Sequence, residues 1–408
     1  MKHISALSSE VKQYLVVTGN YWAFTLTDGA LRMLVVLHFY SLGYTPLEIA
    51  ALFLFYEIFG VVTNLFGGYL GARVGLNRTM NIGLALQVVA LMLLTVPNEM
   101  LTVLWVMAAQ ALSGIAKDLN KMSAKSAIKL LVPDDQQSSL YTWVARLTGS
   151  KNALKGVGFF LGGLLLTVLG FTGAVLTMAI ALAFVWISSI LLLKKDLGKA
   201  SVKPKFREIF SKSPAINALS AARLFLFGAR DVWFVIALPV YLSATLGWDF
   251  WAVGSYLAVW VIGYGFVQAF APHITGKASG RVPDGKSAGL WAFALAGLPA
   301  LIALGLIAEL SALWVITIGL MLFAVLFAVN SSLHSYLIVS YAKSDGVSLD
   351  VGFYYMANAM GRLIGTLLSG WVFQQWGLEA CLWVSTTFIV AAAVISTKLP
   401  RHSLTQKP

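Results

Sequence analysis

Apolar residues gather along almost the whole chain into runs that short polar stretches separate. Runs near 20 residues match a bilayer core about 30 Å thick. Lipid gives backbone groups no outside partner, so a spanning run must be a helix or part of a closed barrel. The runs fall at approximately 14–38, 47–71, 79–97, 101–129, 139–169, 172–193, 215–243, 250–272, 287–308, 311–341, 348–376 and 379–397, which predicts twelve transmembrane helices. Charge then orients them. The loops HFYSLGYTP, PNEM, GFTG, ATLGWD, AELS and GLEA hold neither Lys nor Arg. The intervening ones carry Arg73 and Arg78, Lys129, the basic stretch 194–212, Lys277 with Arg281 and Lys286, and Lys343. The positive-inside rule places the basic loops and both termini in the cytoplasm. A miscounted run would break this alternation.

Composition excludes a soluble domain: 59% of residues are hydrophobic, 11% are charged and the mean hydropathy is +0.80. The net charge of +12 and the pI near 9.6 belong mostly to the cytoplasmic loops, so no nucleic-acid partner is expected. The first run has no small-residue cleavage site and is expected to stay as an ordinary span. The single cysteine, Cys381, supports neither a disulfide framework nor a thiol metal site. The chain has no H-E-x-x-H spacing, no phosphate-binding P-loop and no soluble catalytic domain. A multi-pass protein of the cell's inner (plasma) membrane is expected, without enzyme activity, cofactor or metal.

The sequence also repeats. LTVLWVM at 101–107 matches LSALWVI at 310–316, and the same register sets Lys125-Ser126 opposite His334-Ser335. Asn152-Ala153 matches Asn358-Ala359, and one inserted residue aligns Thr27-Asp28 with Arg230-Asp231. Two parallel six-helix halves follow, 1–193 and 214–408, joined by a basic cytoplasmic linker at 194–213. This all-α architecture is that of the major facilitator transporters. Gly68-Tyr-Leu-Gly71-Ala72-Arg73-Val-Gly75-Leu-Asn77-Arg78 resembles that superfamily's loop signature, with Ala72 where the signature has an acid. Gly158-Phe-Phe-Leu-Gly162-Gly163 resembles its antiporter motif with Phe159 in the proline position, and small residues so spaced also serve close helix packing.

Cations lie inside the apolar runs: Arg32, Lys117, Lys121, Lys125, Arg146, Lys151, Lys155, Arg223, Arg230 and Arg362. A cation at the bilayer centre costs at least about 2.5–3.5 kcal/mol and is tolerated where it faces protein or a watery cavity. Nearby acids look too few to neutralise them all, so a bound anion is expected to complete the charge balance. Lys117, Lys121, Lys125 and Lys129 step along one helix as a ladder, with Lys129 read as a topology marker near the helix end. Thr148, Lys151, Asn152 and Lys155 share a helix face, and Asp350, Tyr354, Asn358 and Arg362 recur every four residues. The expected binding set is Arg32, Lys117, Lys121, Lys125, Lys151, Lys155, Arg223, Arg230 and Arg362, divided into a lysine-rich end and an arginine-rich end. Asp28 with Arg32, and Arg230 with Asp231, have the alternative of plain ion pairs. Asp28, Asp231 and His334 are the candidates for proton coupling.

Beyond these features, SGIAKDLNKMSAKSAIKLLVP at 113–133, GSKNALKGVGFFLGG at 149–163 and KPKFREIFSKSPAINALSAARLFLFGARDVWFV at 203–235 resemble the ArsJ-type organoarsenical efflux permeases. The resemblance extends over nearly the whole chain. It implies export of 1-arseno-3-phosphoglycerate and hence arsenate resistance, with glyceraldehyde-3-phosphate dehydrogenase as the functional partner that makes the substrate. A monomer is expected. The rival reading is an organophosphate or sugar-phosphate permease working by anion exchange. A membrane-bound enzyme or anion sensor and an arsenite exporter are disfavoured, the last because a thiophilic cargo calls for paired cysteines.

Overall fold

The computed structural model describes residues 9–44, 49, 52–132, 136–193, 197–201, 204–205, 208, 210, 212–276 and 282–401. Much of the basic linker, with Lys277 and Arg281, lies outside the described residues. The α-helices are α1 (Ser9–Ser41), α2 (Leu54–Val74), α3 (Leu76–Leu93), α4 (Val103–Leu131), α5 (Gln137–Leu192), α6 (Pro214–Phe234), α7 (Ala237–Ala244), α8 (Phe250–Ile274), α9 (Gly285–Ile307), α10 (Ala312–Tyr341) and α11 (Val347–Ser396). Their starts carry the expected side-chain oxygens. Thr102 caps α4, Ser213 caps α6 ahead of Pro214, Asp249 caps α8, and Asp284 with Ser287 forms a capping box on α9.

Seven stretches among the described residues are long and apolar enough to cross a membrane, against the twelve runs read from sequence. Two of the seven, α5 and α11, each contain two of those runs, joined across Gly170 (φ 68°) and Gly377 (φ 79°). Helices α1, α2 and α4 hold Asp28, Arg32, Glu57 and the lysines of the ladder, which lower their hydropathy. Large apolar side chains such as Leu191, Phe184 and Val168 are mostly exposed, as lipid-facing residues are.

The chain divides into two compact units. The first contains Met1–Gln136, Ser150–Ser211 and Ala342–Met356; the second contains Gln137–Gly149, Lys212–Tyr341 and Ala357–Pro408. In the first, α4 is central and packs on α1, α2 and α3; in the second its repeat counterpart α10 packs on α6, α8 and α9. The second core is aromatic, with Trp233, Trp260, Tyr264, Phe323 and Phe327 in mutual ring contact, and the Trp260 indole donates to the Leu320 carbonyl at 2.9 Å.

Glycine seams set the helix spacing in each unit. A Cβ on Gly29 would lie 2.6 Å from the Lys155 carbonyl oxygen, and one on Gly158 would lie 2.7 Å from that of Leu26, so α1 and α5 touch backbone to backbone. Gly158 and Gly162, read as a possible antiporter motif, are thus packing residues here. In the second unit a Cβ on Gly365 would lie 2.6 Å from the Gly228 oxygen and 3.0 Å from the Asp231 Cβ, which brings α11 onto α6 beside that carboxylate.

The loop signature of the first unit is tied down without an acid at Ala72. Ser348 Oγ donates to the Gly68 carbonyl at 2.8 Å, while the linker backbone pairs with the loop through Leu76 N to Leu197 O and Ala200 N to Ala72 O, both 2.8 Å. Ser201 donates its amide (2.9 Å) and hydroxyl (2.6 Å) to the two oxygens of Asp345.

Candidate functional site

In the first unit, successive turns of α1 present Asp28 and Arg32, but they do not pair with each other. Tyr56 OH donates to Asp28 Oδ1 at 2.7 Å, and Arg32 Nη2 reaches Glu57 Oε1 at 3.4 Å. The intrahelical pair is replaced because α2 offers a phenol and a carboxylate side by side. The Arg32 guanidinium also lies over the rings of Phe53 (4.8 Å) and Tyr56 (5.2 Å).

Helix α4 supplies the lysines, and sequence reasoning passed over the acid among them. Asp118, almost fully buried, takes Lys121 Nζ on Oδ1 at 2.5 Å and has Lys117 Nζ 3.9 Å from Oδ2. That arrangement was legible from the i, i+3 spacing. Each ammonium also faces a ring: Lys117 lies 3.7 Å from the centroid of Tyr56 and Lys121 4.6 Å from that of Tyr355. A Cβ on Gly60 would come 2.9 Å from Asp118 Oδ2, so the glycine makes room for the carboxylate.

Arg32, Lys117 and Lys121 thus stand with Glu57, Asp118 and Asp28, three cations with three acids, so part of the expected cation set has resident carboxylates. Lys125, Lys151 and Lys155 add further positive charge. Lys125 is buried, and Lys151 donates to the Asn152 side-chain oxygen at 3.2 Å. Lys129, in the last turn of α4, is buried as well. Arg146 is exposed beside the Trp143 ring.

In the second unit one face of α6 carries Arg223, Phe227, Arg230 and Asp231. Buried Arg223 donates from Nε to Asn358 Oδ1 at 2.8 Å and from Nη1 to the carbonyl (3.3 Å) and hydroxyl (3.2 Å) of Ser331. Gln268 Nε2 reaches that hydroxyl at 3.0 Å and Tyr264 OH at 3.3 Å. Asp231, with no exposed surface, accepts from Arg230 Nε on Oδ1 at 2.6 Å and from Arg362 Nε on Oδ2 at 3.1 Å. Two guanidiniums on one carboxylate leave one net positive charge, and both arginines stay partly exposed. Rings of Phe227, Phe327 and Phe234 surround the Arg230 head at 5.0, 5.6 and 5.7 Å.

Guanidinium groups present five donors in a planar fork suited to phosphate or carboxylate, whereas ammonium acts as a point charge. The arrangement therefore favours anions. His334 is fully buried, and neither ring nitrogen makes a hydrogen bond. No group of three or more metal-ligating side chains occurs among the described residues.

Solved structures share this fold. A bacterial homologue of the iron transporter ferroportin superposes with a TM-score of 0.74 at 14% identity, covering 96% of this chain and 99% of that one. The human organic anion transporter MFSD10 (TETRAN) gives 0.75 at 14% identity, over 96% of this chain and 100% of the other. The E. coli fucose:proton symporter FucP gives 0.70 at 13% identity, over 96% and 99%. At such identities the likeness is one of fold. Comparison with curated proteins gives no match. The family model described as Major Facilitator Superfamily matches residues 15–283, and the chain belongs to that superfamily as a multi-pass membrane transporter of small molecules, not an enzyme.

Proposed function

We propose that this transporter exports an organic polyanion from the cytoplasm across the inner membrane, and that the cargo is 1-arseno-3-phosphoglycerate. The observation that carries the reading is the sharing of Asp231 by Arg230 and Arg362, which leaves a partly exposed guanidinium pair one positive charge in excess. Arg223 reinforces it from one face of the same helix. In the first unit Lys125, Lys151 and Lys155 supply the cations beyond the Asp118 pairs. The acyl arsenate and the phosphate make the cargo a polyanion, and each unit has a basic cluster of its own to meet such a charge. The resemblance of 113–133, 149–163 and 203–235 to the ArsJ-type permeases supports the same cargo, with glyceraldehyde-3-phosphate dehydrogenase making it in the cytoplasm. Outside, the mixed anhydride hydrolyses to arsenate and phosphoglycerate.

On this reading the chain is a monomer of twelve spans with both termini cytoplasmic, in halves 1–193 and 214–408 joined by the linker 194–213. A negative charge leaving a cell that is negative inside gains about 2.3 kcal/mol per 100 mV, so the membrane potential alone can drive export and proton coupling is optional. Asp28, Asp231 and His334 are the candidates for a coupled proton. Everted vesicles given the dehydrogenase, its substrates and arsenate test the cargo. They accumulate arsenic with the wild type, and Lys155→Glu or Arg230→Glu, expressed at wild-type levels, abolishes it. Accumulation by the variants removes these residues from the site. Failure of the wild type, with a working dehydrogenase, removes the cargo.

A further inference from the structure

We infer that Asp118 is a resident counter-anion: it occupies the Lys117 and Lys121 ammoniums while the transporter is empty and yields them to the substrate anion. The inference rests on the anionic cargo proposed above and concerns a residue outside the binding set.

The geometry is that of a bond made to be exchanged. A buried carboxylate kept for structure is held through both oxygens by good donors, because its desolvation is otherwise uncompensated. Asp118 has one short contact, Lys121 Nζ to Oδ1 at 2.5 Å, while Oδ2 makes no hydrogen bond and has Lys117 only at 3.9 Å. The carboxylate itself is 2% exposed, whereas the lysine side chains are 15% and 14% exposed, so an incoming anion meets the ammoniums and not the acid.

Each ammonium also has a second seat. The Tyr56 ring faces Lys117 and the Tyr355 ring faces Lys121, so neither cation is stranded when it leaves the carboxylate. The missing Cβ of Gly60 gives the carboxylate its own place against α2. The second unit repeats the motif of one buried carboxylate between two cations at Asp231.

The consequence is kinetic. A carrier must reorient both loaded and empty, and two buried ammoniums without an anion make the empty form costly. Asp118 keeps the empty cluster close to the charge of the loaded one, so the empty return stays fast.

Purified full-length protein in liposomes, with labelled 3-phosphoglycerate as the probe, separates exchange from net efflux. Asp118→Asn is expected to bind the probe about tenfold more tightly, because the competing charge is gone. It is expected to keep exchange of labelled for unlabelled probe and to lose net efflux into empty buffer by about tenfold or more. The conservative variant Asp118→Glu keeps a carboxylate on the same helix position and is expected to restore net efflux with exchange unchanged. Net efflux unchanged in Asp118→Asn, or lost equally with exchange while elution on gel filtration is unchanged, overturns the counter-anion role alone. A wild type that neither binds nor exchanges the probe overturns the anionic reading of the cargo and this role with it.

Discussion

Arg362 Nε donates to Asp231 Oδ2 at 3.1 Å across 131 positions of sequence, and Arg230 holds the other oxygen of the same carboxylate. The pair fixes α11 against α6 at the depth where Gly365 lets the two backbones meet. Removing the acid leaves two partly exposed guanidiniums without their shared carboxylate. Asp231→Ala is expected to lower stability by about 1–3 kcal/mol. Adding Arg362→Gln should recover part of that loss, and a double-mutant cycle on thermal unfolding in detergent checks the coupling. Additive effects would show that the ion pair is not what joins the helices.

Gly29 and Gly19 lie on the same helix in opposite circumstances. A Cβ at Gly29 would come 2.6 Å from the backbone oxygen of Lys155, whereas one at Gly19 has nothing within 4 Å. Gly29→Ala is expected to cost about 1–3 kcal/mol by forcing α1 and α5 apart. Gly19→Ala should be neutral or gain up to about 1 kcal/mol from helix propensity. Unfolding temperatures of the two variants test the contrast.

The clasp between Ser201 and Asp345 predicts a pH response. The Ser201 hydroxyl, and then its amide, hold the Asp345 carboxyl below the usual carboxylate range. A depressed folded-state value means that the clasp contributes fully above the unfolded value, near 3.9. The contribution is lost as pH falls through the lower folded value. Hydrogen exchange at the Ser201 amide should therefore stay protected at neutral pH and lose protection in acid, and Asp345→Ala should be unprotected by this route at every pH.

The solitary, buried Cys381 makes a topology test direct. In a Cys381→Ser background, a cysteine at Glu99 is expected to react with an impermeant maleimide added outside intact cells. One at Lys199 should react only after the membrane is opened. Both positions are exposed. Reaction of the two from the same side would contradict the orientation read from the loop charges.

Much of this was legible in the residue pattern, and the limits have physical causes. Apolar runs gave the helices, and the repeat offset paired the stretches that open α4 and α10, whose matching packing only the structure shows. The Lys121–Asp118 pair was available from helical spacing alone, but attention to the cations hid it. The partner of Arg32 was not available. Whether it meets Asp28 on its own helix or Glu57 on the next depends on how α1 and α2 rotate about their axes, and no single-helix spacing contains that. The linker pairing of Leu197 and Ala200 with the loop at 72–76 runs through backbone atoms, which side-chain patterns do not report.

The corners at Gly170 and Gly377 carry a practical consequence. At each, the chain passes from one apolar run to the next on a single left-handed residue, with helix on both sides. Such a joint offers no slack for a protease to thread, no peptide for an antibody to grasp and no place to splice a tag or fluorescent reporter. Labels and fusion partners for this transporter belong instead at Asn98–Met100, where the chain between α3 and α4 has length to spare.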